Sequence, residues 1–307
     1  MNVAIVVLNY NGKHLLARFL PSILRAAGKC PYQCKVIVLD NLSEDDSVDF
    51  LKKEFSGVKI AIARSNDVLC SYNELLNQLQ SQVVILLNND IRVDENFISP
   101  LVQRFIEEKK VFFVAPKILN PDSTFNGGKS FLELKLGIIQ NVVDRTGCAK
   151  PGITHSIATG AFNREIFLKI GGFDKLFLPG IWEEVDLCYQ GLLRGYRGLY
   201  EPSSVIWHDE SSTFNKVFGP RGKNILAYRN MFFFTWKNIF DIKIMFQHIF
   251  FLPAWLIYSI FCGKQELFLG FIQALRHLKS ILKQRKACRL AFSERVLRDK
   301  DIIGSVL

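Results

Sequence analysis

Through its first 115 residues the chain alternates short apolar runs with longer polar stretches. The runs fall at residues 3–8, 36–39, 58–62, 83–87 and 111–114, and are rich in Val and Ile. Runs this apolar predict strands covered on both faces, because a sheet with one wet face alternates apolar and polar positions. The intervening segments, such as 15–27 and 47–55, suit helices, so the pattern reads as βαβ units in a mostly parallel sheet with flanking helices, an α/β fold. In such a sheet ligands sit outside the carboxyl ends of the strands.

Those ends are rich in polar groups. Asn9-Tyr10-Asn11-Gly12 follows the first run, Asp40-Asn41-Leu42-Ser43 the second and Asn88-Asn89-Asp90 the fourth. Any one of them alone reads as a turn or helix cap. Together they place amides, a tyrosine and two carboxylates at one sheet edge, which turn chemistry alone does not require. No GxGxxG follows the first run and no GxxxxGK[ST] occurs anywhere, which disfavours a dinucleotide-dependent dehydrogenase and a P-loop kinase.

Beyond residue 220 the texture changes. Residues 1–220 carry 24 Lys/Arg against 24 Asp/Glu, whereas residues 221–307 carry 15 against 5, so the net +10 lies entirely in the last 87 residues. Eleven aromatics fall between Met231 and Phe261, and no charged residue stands between Lys243 and Lys264. As a helix, residues 244–262 would reach roughly 28 Å, marginal for a bilayer crossing, and Gln247, His248 and Pro253 interrupt it. An apolar aromatic block beside a basic segment predicts a helical region lying at or dipping into a membrane surface. Nucleic acid is disfavoured, because the aromatics do not interleave with the charges. At 49% hydrophobic and 22% charged residues the chain is not disordered. Its seven cysteines form no disulfide framework, and the first residues lack the features of a secretory signal, so a cytosolic setting is expected.

The ordered set Asn9-Tyr10-Asn11, Asp40-Asn41-x-Ser43, Asn88-Asn89-Asp90, Gly171-Gly172-Phe173-Asp174, Trp182-Glu183-Glu184-Val185-Asp186 and Trp207-His208 resembles glycosyltransferase family 2 over roughly residues 2–240. Within it the chain looks most like the rhamnosyltransferase-type branch of bacterial cell-surface polysaccharide synthesis, whose members carry a basic, aromatic extension beginning near a Tyr-Arg-Asn, here Tyr228-Arg229-Asn230. The resemblance implies a Rossmann-like GT-A domain over 1–225, with a nucleotide-binding half at about 1–115 and an acceptor half at about 116–225, followed by the membrane-associating region 226–307. It implies a nucleotide-sugar donor of dTDP-rhamnose or UDP-hexose type bound by Asn9, Tyr10, Asn11, Asp40, Asn66, Asn73 and Asn89. Mg²⁺ or Mn²⁺ would be held by Asp90 and His208. Glu184 aligns with the catalytic base, while Asp174, Trp182, Glu183 and Asp186 shape or support the acceptor side. The implied acceptor is a lipid-linked glycan or polysaccharide at the cytoplasmic face of the inner membrane.

Two departures stand out. Val68 occupies a position where the family usually has glycine, so either the loop takes another path or that glycine is not needed for its dihedral. Gln190 stands where an arginine commonly follows Asp-Leu-Cys. Alternative readings are a polyprenyl-phosphate glycosyl synthase, which needs no base at Glu184, and a catalytically degenerate sugar-nucleotide-binding assembly protein, motivated by these two departures. A nucleotidyltransferase is disfavoured, since no Gly-x-Gly-x-Arg occurs near the N-terminus.

Overall fold

The computed structural model describes residues 1–209 and 213–304; residues 305–307, at the end of the expected region 226–307, lie outside the described residues. All five apolar runs are strands. In chain order the first elements are β1 (Asn2–Asn9), α1 (Lys13–Lys29), β2 (Gln33–Asp40), α2 (Ser47–Glu54), β3 (Lys59–Ile62), α3 (Tyr72–Gln78), β4 (Val83–Asn88), β5 (Ile91–Val93), α4 (Ile98–Glu107) and β6 (Val111–Leu119). There follow β7 (Phe125–Gly127), a hairpin of β8 (Ser130–Lys135) and β9 (Ile138–Val143), β10 (Gly152–Ile153), β11 (Gly160–Asn163), α5 (Arg164–Ile170), α6 (Glu183–Leu193) and β12 (Arg197–His208). Five helices close the chain: α7 (Thr213–Asn238), α8 (Ile242–Phe261), α9 (Gln265–Arg276), α10 (Leu278–Leu290) and α11 (Asp299–Ile302).

The main sheet runs β10-β12-β6-β11-β4-β1-β2-β3. β3, β2, β1 and β4 are mutually parallel, as are β6 and β12. The sheet is nevertheless mixed: β11 enters antiparallel between β4 and β6. Its Gly-Ala-Phe-Asn stretch has neither the length nor the β-branched content that marks the other strands, so sequence pattern alone misses it.

Alternate residues of each central strand feed opposite cores. Val3, Ile5 and Val7 of β1 pack in a cluster with Leu16, Leu20 and Ile23 of α1, whereas Ala4 and Val6 share a second cluster with Leu76, Phe112, Phe162 and Phe167. Two-sided burial is the physical reason why these runs are apolar at every position.

A third cluster joins α6, the β8–β9 hairpin and the C-terminal helices. Phe232, Phe233 and Phe234 lie in it with no exposed surface, beside Phe177, Val185 and Tyr189. The aromatic run read as one membrane-facing block is therefore split, its first part being core. The boundary expected at 225/226 also falls inside α7, whose second half is seated against the domain before it. The reason is shared burial: α6 exposes an apolar flank that the first three phenylalanines cover.

Replacing Phe233 by Ala should lower stability by about 3–5 kcal/mol, the usual penalty for emptying a buried aromatic site. Urea denaturation measures this, and an unchanged midpoint would remove the run from the core.

Candidate active site

Parallel register brings the ends of β1, β2 and β4 level: Asn9 lies opposite Asp40, and Leu8 opposite Asn88. The side chains there form one hydrogen-bonded chain. Asn89 Nδ2 donates to Asn9 Oδ1 at 2.7 Å, and Asn9 Nδ2 donates to Asp40 Oδ1 at 3.0 Å. Ser43 donates to Asp40 twice, through Oγ at 2.6 Å and its backbone N–H at 2.9 Å, and its Oγ accepts the Asn11 N–H at 2.9 Å. Asn11 Oδ1 in turn accepts from the Glu44 N–H at 2.7 Å. Gly12 permits the closure, since a Cβ there would overlap the Asn89 amide. Asp40 is buried with both oxygens engaged, so in this state it orders the loops; Tyr10 is half-buried and Asn66 exposed at the same edge.

Asp90 follows directly and is also buried. Its Oδ1 accepts no hydrogen bond among the described residues, while His208 Nε2, brought alongside by pairing of β12 with β5, stands 3.2 Å away. A buried carboxylate oxygen without a donor calls for an explanation. Asp90 and His208 are a carboxylate and an imidazole, a pair that fits a divalent cation taking its remaining ligands from diphosphate oxygens and water. Among the described residues Asn41 Oδ1 and Glu183 Oε2 are likewise buried without partners.

The catalytic candidate sits at the start of α6. Glu184 and Asn88 line one small cavity of about 10 Å³ with Tyr72, Thr159, Phe162 and Phe173. Glu184 is half-buried at its surface and its carboxyl is pushed up to about 7 by burial. Glu183 is driven well above the usual carboxylate range, first by burial and then by the charge of Glu184.

The backbone before them is unusual, because Ile181 and Trp182 both adopt left-handed φ, 73° and 79°. Such residues persist only when their surroundings over-determine them. Here α7 does so: Asn230 Nδ2 donates to the carbonyls of Phe177, Gly180 and Ile181 at 2.9, 2.7 and 2.7 Å. Arg229 Nη2 reaches the Leu178 carbonyl at 2.7 Å. Trp182 packs on Phe234 at 5.1 Å between ring centroids.

Asp174 and Asp186 share one cation. Lys237 Nζ lies 2.7 Å from Asp174 Oδ2 and 2.7 Å from Asp186 Oδ2, and Asn238 Nδ2 donates to Asp186 Oδ1 at 2.6 Å. Burial raises the Asp186 carboxyl against the opposing charge of Lys237. For Lys237 burial works downward, but the two carboxylates outweigh it and the ammonium is raised. Gln190 continues this line inward, donating to Asn238 Oδ1 at 2.7 Å and accepting from Arg194 at 2.9 Å. The amide at 190 is thus a link between two polar groups, with Arg194 and Lys237 providing cations nearby.

Two expectations change in detail. Val68 does adopt a left-handed φ of 50°, so the loop keeps the dihedral suited to glycine despite the β-branched side chain. It is held by the Asn41 amide, which donates to the Val68 carbonyl at 3.2 Å, and by Asp67, tied to Ser65 at 2.7 Å and Lys175 at 2.6 Å. Asn73 bonds the Phe173 backbone: its amide donates to the Phe173 carbonyl at 2.8 Å and accepts the Phe173 N–H at 2.9 Å, fixing the Gly-Gly-Phe-Asp loop.

Arg229, Asn230, Lys237 and Asn238 were not among the expected site residues. The signal for them was available, since polar and charged positions inside an apolar aromatic helix are rarely buried without a partner.

The sheet, with its antiparallel insertion and polar strand ends, is of GT-A type. Among solved structures the chain is similar to GalNAc-T7 with UDP, GalNAc and Mn²⁺, with a TM-score of 0.60 at 17% identity, covering 98% of this chain and 57% of that one. It is also similar to S. aureus TarS, with a TM-score of 0.54 at 14% identity over 84% of this chain and 44% of that one, and to TarS 1–349, with 0.54 at 13% over 97% and 93%. The chain therefore spans about half the length of the first two. No curated relative matches the sequence. The profile of Glycosyl transferase family 2 matches residues 4–171, more than half of the 307 residues, and the chain belongs to that family.

Substituting Asn230 by Ala leaves three loop carbonyls without their shared donor. Stability should fall by about 1–3 kcal/mol or more, read from chemical denaturation; an unchanged midpoint would show that the clamp does not hold the loop.

Proposed function

We propose that this protein is an inverting, metal-dependent glycosyltransferase that moves a sugar from a nucleotide-sugar of dTDP-rhamnose or UDP-hexose type to a lipid-linked or polysaccharide acceptor at the cytoplasmic face of the membrane. The observation that carries the reading is the shared cleft: Glu184, with its raised carboxyl, and Asn88, two residues before Asp90, line the same space. A single displacement needs a base close to the diphosphate end of the donor, and this shared lining supports that arrangement.

Tyr10 and Asn11 would meet the donor's nucleoside on loops ordered by the Asn9–Asp40–Ser43 array. Asp90 and His208 would hold Mg²⁺ or Mn²⁺, which when bound neutralises charge developing on the departing diphosphate. The UDP and Mn²⁺ in the GalNAc-T7 structure support this choice. Glu184 takes the proton of the acceptor hydroxyl as its oxygen attacks the anomeric carbon from the face opposite the diphosphate. The new C–O bond forms as the bond to the diphosphate breaks, so the configuration inverts. Burial and the charge of Glu184 raise the Glu183 carboxyl, which favours its neutral form beside the base. Trp182 offers the acceptor sugar an apolar face.

A thermal-shift panel of dTDP-rhamnose, UDP-hexoses and GDP-mannose tests donor and metal together. One donor should raise the melting temperature with Mn²⁺ in the wild type, by mass action, and Asp90→Ala should lose the metal-dependent part. A full shift in that variant would overturn the metal assignment. Glu184→Gln should retain donor binding while kcat falls by about 10²–10⁴. Retained turnover would instead point to a phosphate acceptor.

Because Glu184 is raised from 4.5 to about 7, it is protonated and idle below that point, so kcat/KM should rise with pH through about 7. The stability sign is opposite: the folded state binds the proton more tightly, so Glu184 favours folding less as pH rises from 4.5 towards 7. A rate profile flat across this window would exclude Glu184 as the base.

A further inference from the structure

α8 shows two faces. Outward it presents Ile242, Phe246, Phe250, Ile257 and Phe261 at 82, 68, 66, 58 and 82% exposure. Spacings of four, four, seven and four residues make these one continuous stripe. Inward it buries Ile244, His248 and Ser259.

The inward face is tied to folded protein along most of its length. His248 Nε2 accepts from Trp236 Nε1 at 3.0 Å, which leaves the proton on Nδ1, 2.7 Å from the Gly137 carbonyl at the tip of the β8–β9 hairpin. Gly137 approaches the backbone of Gln247 and His248 so closely that a Cβ has no room. Seven residues on, Trp255 Nε1 donates to the Leu136 carbonyl at 2.9 Å. Ile244 to Ser259 is about 22 Å of helix at about 1.5 Å per residue. A hydrocarbon crossing would carry this hairpin, with Glu133 and Lys135, into the bilayer, or would strip the hairpin carbonyls and His248 of their partners; both are forbidden by the absence of water there.

We infer that α8 lies in the plane of an anionic bilayer's interface, its Ile242–Phe246–Phe250–Ile257–Phe261 stripe facing the acyl chains, and does not cross. Charge selects lipid over a second copy of the chain. Lys243 adjoins Ile242, and Lys264 holds its ammonium 5.7 Å from the Tyr258 ring, so cations bracket the stripe at both ends. α9 and α10 expose Arg276, Lys279, Lys283 and Lys286 beyond it. Two such faces repel each other, whereas anionic headgroups attract each of these cations.

Ile244 belongs to the same buried cluster as Val185, with Trp182 packed against it, so an embedded α8 sets the acceptor side of the cleft next to the lipid surface. This deepens the lipid-linked acceptor of the proposed function and rests on that reading only for the acceptor.

Vesicle flotation tests it, with phosphatidylcholine alone and mixed with phosphatidylglycerol. The full chain should bind the anionic vesicles more tightly by about tenfold or more, and Phe246→Glu with Phe250→Glu should reduce that binding by about tenfold or more. In a Phe250→Trp variant, lipids brominated near the headgroup should quench the added fluorescence more than lipids brominated near the chain ends. Stronger deep quenching would establish a crossing and overturn the inference. Equal flotation of wild type and double variant would do the same, as would dimerisation without vesicles that the double variant abolishes. The nucleotide-sugar thermal shift, run on the double variant, verifies folding; vesicle binding that persists without any donor shift would fault the transferase reading and leave this one standing.

Discussion

A carboxylate held behind the edge of a parallel sheet needs donors from more than its own strand, and the way Asp40 obtains them organises the ends of β1, β2 and β4. Water cannot reach it, so three protein donors replace water: the Asn9 amide, the Ser43 hydroxyl and the Ser43 N–H. Asn9 can serve only because parallel pairing puts it level with Asp40. Its remaining oxygen then captures Asn89, which fixes the turn that carries Asp90. Loops from three strands thus become one rigid rim, and rigidity at that rim is what holds reacting groups in place.

The start of α6 meets a different problem. Burial raises the Glu184 carboxyl to about 7, and the loop before it runs through two left-handed residues that disfavour its folded form. The answer is a clamp from a distant helix: one amide on α7 receives three carbonyls, and one ammonium two turns further on neutralises two carboxylates. Each carbonyl and carboxylate so engaged is buried or nearly so, which makes the partnership strong and its loss severe.

Fold class and strand positions were legible because they rest on burial pattern: residues 3–8 and 83–87 are apolar throughout, and both faces of the sheet are covered. The rim residues were legible as residue types at strand ends. What they do was less so, since Asp40 and Asn73 look like ligands in sequence but spend their hydrogen bonds on Ser43 and Phe173. β11 was invisible because a four-residue strand owes its existence to neighbours on both sides. Asn230 and Lys237 were hidden by the aromatics around them, whose density suggested lipid when three of them are core. Val68 was misjudged from propensity, which local hydrogen bonds override.

α7 bears on how this protein can change. Its sequence looks like an appendage, added after a complete catalytic unit, yet the helix reaches back to residues 177–181, 174 and 186 through the side chains of Asn230 and Lys237. A chimera joined near residue 225 would therefore separate the loop before Glu184 from the side chains that hold it. The C-terminal helices and the 174–186 loop form one heritable unit, and drift in either is constrained by the other.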